Sequence, residues 1–586
     1  MRTKKVFTPE PLLAFEFLNS SGKIMPLTFR DPLKIITAQT IEEVHASFQL
    51  VQEAVNSGYY AAGFLTYESA PAFDSAFQVK DGITLPMLWF GIFTHPQNLP
   101  INSTGTYTLK EWKPSVSRED YQTSIQSIKQ SIENGDTYQT NYTIRLKSLF
   151  QGDDIAYFEK LKRAQASNYC AYINTSEVSI LSASPELFFH LDGNNLTTRP
   201  MKGTIKRGNT FTEDKANASW LYHSEKNRAE NLMIVDLLRN DLGIIAEPGT
   251  VTVPNLFDIE HYPTVHQMTS TITAKVSQDT QIIDIFKALF PCGSITGAPK
   301  ISTMNIIADR ETSPREIYCG AIGYITPQKE AIFNVPIRTI WIDHKSGEAT
   351  YGVGGGITWD STTEDEYHEI LAKASFLEEN RPQFQLLESL LINDGVCFLL
   401  EEHLKRLENS AQYFSFKIEM DNVKKTLQEF ANLYNNGKVK ARLLIGKNNE
   451  ITIEGQPITD LETPLKVILA DEPINKDNPF LYHKTTNREI YSHFQRKKPA
   501  DVFDILLWNE DQQLTEFTNG NVVLVIDGQY WTPPVQSGLL SGTFRESLLF
   551  NGIISEKTLT LADLNKSTKI WFINSVRKWL EVLIIK

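Results

Sequence analysis

The sequence predicts a mixed α/β (α+β) protein built as two domains, and three observations carry that expectation. The chain has 586 residues, several times the roughly 100 to 200 residues of one ordinary domain. Up to about residue 378, β-rich runs such as AIFNVPIRTIWID (331–343) alternate with helical stretches such as AENLMIVDLLRN (229–240), punctuated by glycine clusters. The helical run EDEYHEILAKASFLEEN (364–380) then stops at Arg381-Pro382, because the residue before a proline is pushed out of helical geometry. These place one domain over 1–380 and a second over 383–586. The second restarts with FQLLESLLINDGVCFLLEEHLKRLENSAQYF (384–414), a strand, a turn at Asp394-Gly395 and an amphipathic helix.

Composition excludes several classes. Charged residues make up 22% and hydrophobic residues 41%, the balance of a soluble globular chain. The net charge of −13 argues against nucleic acid as the main partner, since phosphate binding needs an excess of Lys and Arg on some face. Cys170, Cys292, Cys319 and Cys397 are widely spaced, without a disulfide or zinc rhythm, and fit a reducing cytoplasm. The opening MRTKKVFTPEPLLAFEFLNSS has only a short apolar run broken by Pro and Glu. No stretch reaches transmembrane length, so neither a targeting signal nor a membrane partner is expected.

Candidate chemistry in the first domain begins with carboxylates. Glu366 and Glu369 stand three apart on a helical pattern, with Lys373 one turn on, so all three share a face. Glu230 opens another apolar helix, and carboxylates from separate helices are what an oxygen-liganded Mg²⁺ requires. A solvated charged face has the same pattern. Three glycine-rich segments lie in the same domain: CGSITGAPK (292–300), CGAIGY (319–324) and YGVGGGI (351–357). Glycine lets backbone N–H groups approach an anion, and Arg338 in an IRT strand adds a cation, so a substrate with more than one carboxylate is expected.

RPMKGTIKRG (199–208), RAENLMIVDLLRNDLG (228–243), GSITGAPK, IGYI, IRT, GVGGGI and EDEYHE occur in an order that resembles the chorismate-utilising enzymes over most of residues 115–378. The resemblance implies their fold of packed β-sheets with flanking helices. It implies Glu230 and Glu369 as direct Mg²⁺ ligands, Glu366 acting through water, and chorismate as substrate. Thr296, Tyr324, Arg338, Lys373, Gly354, Gly355 and Gly356 become substrate-binding residues. Lys202 resembles the covalent nucleophile of those members that aminate chorismate at C4, and Glu186 in SASPELFF resembles their acid–base residue. Gln139 stands where water-activating relatives have lysine, and a neutral amide cannot serve as that base. Asn227 and Gln267 depart from the pattern, where relatives have an acidic residue and a histidine; His266 directly precedes Gln267. Before residue 110 the match is loose, mainly at GFLTYESAPAFD (63–74).

In the second domain EEHLKRL (401–407), FLYHKTTNREIY (480–491), LTEFTNGNVVLV (514–525) and GLLSGTFRE (538–546) resemble the class IV aminotransferases, which implies a pyridoxal-phosphate fold-type IV domain. Lys484 then corresponds to the lysine that bonds the cofactor, Glu516 to the partner of its ring nitrogen, and Arg406, Gly542 and Thr543 to phosphate ligands. Asn521 fits the family's spacing after the glutamate. Class membership leaves open a lyase that releases pyruvate, an amino-acid aminotransferase, or a non-catalytic docking module. Fusion to a chorismate-aminating domain favours the lyase, hence 4-aminobenzoate for folate synthesis. No segment resembles a glutamine amidotransferase, so a separate subunit is expected to supply ammonia, and class IV domains commonly pair as homodimers.

Overall fold

The computed structural model describes residues 11–19 and 21–585, so the first ten residues of the opening stretch lie outside the described residues. The chain forms two compact units: 1–206 with 220–381, and 207–219 with 382–586. Residues 207–219 therefore belong to the second unit although they interrupt the sequence of the first. No helix among the described residues is long and apolar enough to cross a membrane.

Among the described residues the first unit carries two ten-stranded sheets. The strand Leu12–Leu18 shows how they stack: Leu12 and Ala14 join one apolar cluster, while Leu13, Phe15 and Phe17 join another. That period of two marks a strand covered on both faces. The second cluster draws on both sheets, with Ala171 and Ile173 from one and Phe64 and Ile322 from the other, and forms the layer between them. Helices Arg118–Glu133, Asp154–Gln165 and Thr363–Ala374 cover the outer face of one sheet, and Ile41–Asn56, Glu225–Gly243 and Ile282–Leu289 cover that of the other.

Two local features position the chemistry. Glu348–Ile357 runs antiparallel to Gln139–Gly152 in unbroken register, setting Gly354, Gly355 and Gly356 opposite Thr143, Tyr142 and Asn141. A Cβ on Gly354 would lie 2.1 Å from the Tyr142 carbonyl oxygen, so the close pairing there requires glycine. Met201–Lys206 pairs with Val265–Lys275, but the register shifts between Met201 and Thr204. Lys202 and Gly203 occupy that bulge, Gly203 at φ +97°, and a bulge re-aims the side chain it carries.

In the second unit a four-stranded antiparallel sheet centred on Leu386–Asn393 and Lys438–Ile445 is backed by helices Leu400–Phe414 and Met420–Ala431. Its larger sheet closes on itself: Leu514–Phe517 pairs with both Asp504–Trp508 and Gly520–Ile526, so six strands form a ring around Val467, Leu506, Val522 and Phe572. Residues 207–219 are held within this unit by Arg207. It donates two hydrogen bonds to Asp214 (2.6 and 2.8 Å) and one to the Tyr413 carbonyl (2.7 Å), while the Tyr413 hydroxyl donates to the Gly208 carbonyl (2.9 Å).

Candidate active sites

In the first unit the glycine strand is the floor of the site. With no side chains on Gly355 and Gly356, helix Thr363–Ala374 and the Lys202 bulge both approach the backbone. A Cβ on Gly355 would lie 3.0 Å from Glu366 Oε2 and 3.4 Å from Glu369 Oε1, and one on Gly356 3.1 Å from Lys202 Nζ and 1.8 Å from Gln139 Nε2. Glu366 and Glu369 thus close on Gly355 and Lys202 and Gln139 on the next residue, Gly356, with Glu369 within electrostatic reach of Lys202. Lys373 donates to the Gly354 carbonyl (2.8 Å) and pairs with Glu369 (2.5 Å), fastening the helix to the strand.

Burial holds the Lys202 ammonium below the ordinary lysine range; Lys373 pushes the same way, and Glu230, Glu186 and Glu369 oppose it. Glu186, 2% exposed, has its carboxyl pushed up to about 7 by burial, and its Oε1 has no hydrogen-bond partner. A buried carboxyl with one oxygen unpartnered, near an amine with a lowered pKa, is equipped to exchange a proton. Burial also raises Glu230 and Glu366, helped by repulsion from Glu369. Glu369 itself is lowered, chiefly by Lys373. Gln139 keeps a buried Oε1 without a partner.

Several predicted residues lie differently. The Tyr324 ring packs between the sheets, with centroids 5.4 Å from Phe15 and 5.9 Å from Phe17, so it is a core residue outside the cluster. Strand alternation explains this, since Tyr324 shares a face with Ile322. Thr296 turns its hydroxyl to the Cys292 carbonyl (3.1 Å), and its own carbonyl accepts from the Asn141 backbone (2.7 Å), bracing the strand of Gln139. Arg338 donates to the Lys373 carbonyl (2.6 Å) and lies over the Phe376 ring. Among the described residues no three acidic, His or Cys side chains gather closely enough to hold an ion, Glu369 being drawn to Lys373. His266 is fully buried against His261 (2.8 Å), whereas Gln267 accepts from Thr204, two residues from Lys202 on the same strand. His266 thus faces away from where Gln267 points. Asn227 packs on Gly203 and donates to Ser224 (2.8 Å). Sequence reasoning passed over Tyr318, whose buried ring would meet a Cβ on Gly352 at 2.2 Å.

The second unit holds a cavity of about 430 Å³ lined by Arg406, Lys484, Glu516, Asn521, Gly542 and Thr543, which come from five separate segments of the chain. Burial lowers Lys484 to about 7, with Arg406 and Arg488 adding to it. Burial pushes Glu516 up to about 7; its Oε1 accepts from the Tyr491 hydroxyl (2.7 Å) and Oε2 from Asn521 Nδ2 (3.3 Å). Asn521 also donates to the Leu540 carbonyl (2.9 Å), and a Cβ on Gly542 would fall 2.1 Å from its Oδ1. Gly542 caps helix Thr543–Phe550, whose first N–H groups are free to bind an anion.

Two residues beneath this site carried no sequence signal that was used. Glu388 accepts from Arg406 Nε (2.9 Å), Arg406 Nη2 (2.6 Å) and His403 Nδ1 (2.7 Å), and these partners hold its carboxyl at about 2 against burial. Burial keeps His403 low and neutral, so its Nε2 accepts from the Thr543 hydroxyl (3.1 Å). Arg406 Nη1 donates to the Ser541 carbonyl (3.1 Å), pinning the turn that presents Gly542. His403 sits three residues before Arg406, one helical turn away, which was the available clue.

Comparison with known proteins bears on the family and the fold. Aminodeoxychorismate synthase component 1 of Salmonella typhimurium is 40% identical over 264 residues, 45% of this chain and 58% of that protein. The chloroplastic aminodeoxychorismate synthase of Arabidopsis thaliana is 42% identical over 282 residues, 47% of this chain and 30% of that one. Both matches span less than two thirds of the relatives' own length. The crystal structure of anthranilate synthase component I from Streptococcus pneumoniae superposes with a TM-score of 0.50 at 24% identity, over 63% of this chain and 91% of that one, and shows the same fold. The class IV aminotransferase family matches residues 385–585. The chorismate binding enzyme family matches residues 17–379, more than half of the chain, and the protein belongs to that family.

Proposed function

We propose that the first unit converts chorismate and ammonia to 4-amino-4-deoxychorismate, and that the second eliminates pyruvate from it to give 4-aminobenzoate for folate synthesis. The observation that carries this reading is Lys202. It is a buried amine with a depressed pKa, aimed by a bulge over Gly356 beside Gln139. A neutral amine is a nucleophile and an ammonium is not. Lys202 adds at C2 as the C4 hydroxyl departs, Glu186 supplies the proton that hydroxyl needs, and ammonia then displaces Lys202 by attack at C4. Gln139, an amide, does not generate the hydroxide that would add in place of ammonia. The curated relatives named aminodeoxychorismate synthase support the same choice.

Glu230, Glu366 and Glu369 fit Mg²⁺ by donor chemistry: oxygen ligands whose mutual repulsion a divalent cation relieves once Glu369 leaves Lys373. The ion would hold a substrate carboxylate there. The second cavity fits pyridoxal phosphate. Lys484 supplies an amine about half neutral at pH 7, Glu516 would pair with the ring nitrogen, and Arg406 with the Gly542 turn would hold the phosphate. When bound, the cofactor acts as an electron sink that acidifies the substrate C–H beside the amine. Lys484 then carries that proton as pyruvate leaves and the ring becomes aromatic. We further propose a cytoplasmic enzyme, homodimeric through its second unit, that receives ammonia from a separate glutamine amidotransferase subunit.

Purified protein with chorismate, Mg²⁺, pyridoxal phosphate and high ammonium is expected to yield 4-aminobenzoate and pyruvate. Release of anthranilate instead would refute the amination at C4.

A further inference from the structure

The second cavity holds more positive charge than its cofactor chemistry uses. Beyond Lys484 and Arg406 it is lined by Lys440, Arg488 and Arg577. Lys440 comes from strand Lys438–Ile445, Arg488 from the residue capping helix Glu489–Lys497, and Arg577 from the turn between Lys569–Asn574 and Lys578–Ile584. All three are half-buried.

Among the described residues the acids of the lining form no close ion pair with them, although Arg488 attracts Glu516. Asp504 is occupied by the Thr518 hydroxyl (2.5 Å), Asn519 Nδ2 (3.2 Å) and the Ile505 backbone (2.7 Å), and Glu516 by Tyr491 and Asn521. The Lys440 ammonium has no acceptor among the described residues. Burial depresses it, and Arg442, Arg577 and Arg488 press further in the same direction. Arg577 gives Nη1 to the Thr459 carbonyl, and Arg488 gives Nη2 to the Thr518 carbonyl and Asn519 Oδ1. Each guanidinium keeps other N–H groups free. Three half-buried cations around one opening, none held in an ion pair by the two lining carboxylates, constitute a site for anionic groups of a ligand.

We propose that Lys440, Arg488 and Arg577 bind substrate carboxylates, and that this cavity selects a dicarboxylate whose acid groups lie away from the reacting amine. The inference rests on the lyase reading above: 4-amino-4-deoxychorismate has a ring carboxylate and an enolpyruvyl carboxylate, whereas most amino acids offer one carboxylate, on the carbon that bears the amine.

The test uses full-length protein loaded with pyridoxal phosphate and supplied directly with 4-amino-4-deoxychorismate. Arg577→Gln and Lys440→Gln are each expected to raise KM for pyruvate release about tenfold to a hundredfold with kcat within about threefold, and Arg577→Lys to recover part of the loss. The cofactor band at about 400 nm reports the site independently of turnover. 3-(Carboxymethoxy)benzoate, a dicarboxylate, is expected to perturb that band in the unsubstituted protein, much less in Arg577→Gln, while 3-methoxybenzoate does not. Unchanged KM in both glutamine variants, or equal perturbation by the two benzoates, overturns the proposal. If the unsubstituted protein releases no pyruvate, the lyase reading falls, and the band still decides whether the rim binds a dicarboxylate.

Discussion

Replacing Glu388 by glutamine tests the buried assembly beneath the second site. Glu388 is 2% exposed, and every hydrogen bond it accepts comes from His403 or Arg406. Its carboxyl is held at about 2 rather than the ordinary 4.5, which corresponds to about 3 kcal/mol of preference for the ionised form. Glutamine keeps the shape but turns an N–H₂ group towards guanidinium donors and strands the Arg406 charge, so about 3 kcal/mol of the second unit's stability should be lost at pH 7. Hydrogen exchange by mass spectrometry on peptides covering 386–393 and 438–445 reads this as a loss of protection of about a hundredfold. The pH arm fixes the cause. A group whose pKa is depressed by folding contributes fully above about 4.5, and its contribution fades as pH falls towards 2. The two proteins should therefore converge in acid. Because Arg406 also pins Ser541, pyridoxal-phosphate affinity should fall about tenfold. Equal protection at pH 7, or a gap that persists unchanged at pH 2, would refute the reasoning.

Other outcomes follow from the same geometry. Lys202→Ala should lower amination by about a thousandfold or more, while pyruvate release from supplied 4-amino-4-deoxychorismate stays within about twofold, as measured by product chromatography. Chelation of divalent metal should abolish consumption of chorismate and spare the second reaction; equal loss of both would detach the metal from Glu230, Glu366 and Glu369. Since Lys484 is lowered to about 7, its amine is protonated below that pH and neutral above it. Stopped-flow uptake of pyridoxal phosphate by cofactor-free protein should accelerate through about pH 7, not near pH 10. Gly356→Ala places a methyl group on Gln139 Nε2 and beside Lys202 Nζ, and should cost about 1–3 kcal/mol of strain at that strand together with most of the amination rate.

The cluster around Lys202 was legible because its members sit in short motifs whose local geometry is self-contained: a helix face for Glu366, Glu369 and Lys373, and a glycine run beside them. What escaped depends on pairings distant in sequence. The bulge at Lys202 exists only once Met201–Lys206 lies against Val265–Lys275. The family resemblance implied Tyr324 as a ligand, yet strand alternation places its ring in the inter-sheet core. Glu388 reads as one polar residue in an apolar strand, and its role appears only when His403 and Arg406, on the following helix, close over it.

The excursion of residues 207–219 governs how the molecule can be taken apart. A gene cut at the proline that separates the two families would leave the second half without Arg207, Asp214 and Gly208, and would strip the Tyr413 carbonyl and hydroxyl of the partners described above. The two units are joined by a chain that visits the second early, returns to the first, and visits the second again. A ribosome must therefore have emitted both halves before the second one can be completed.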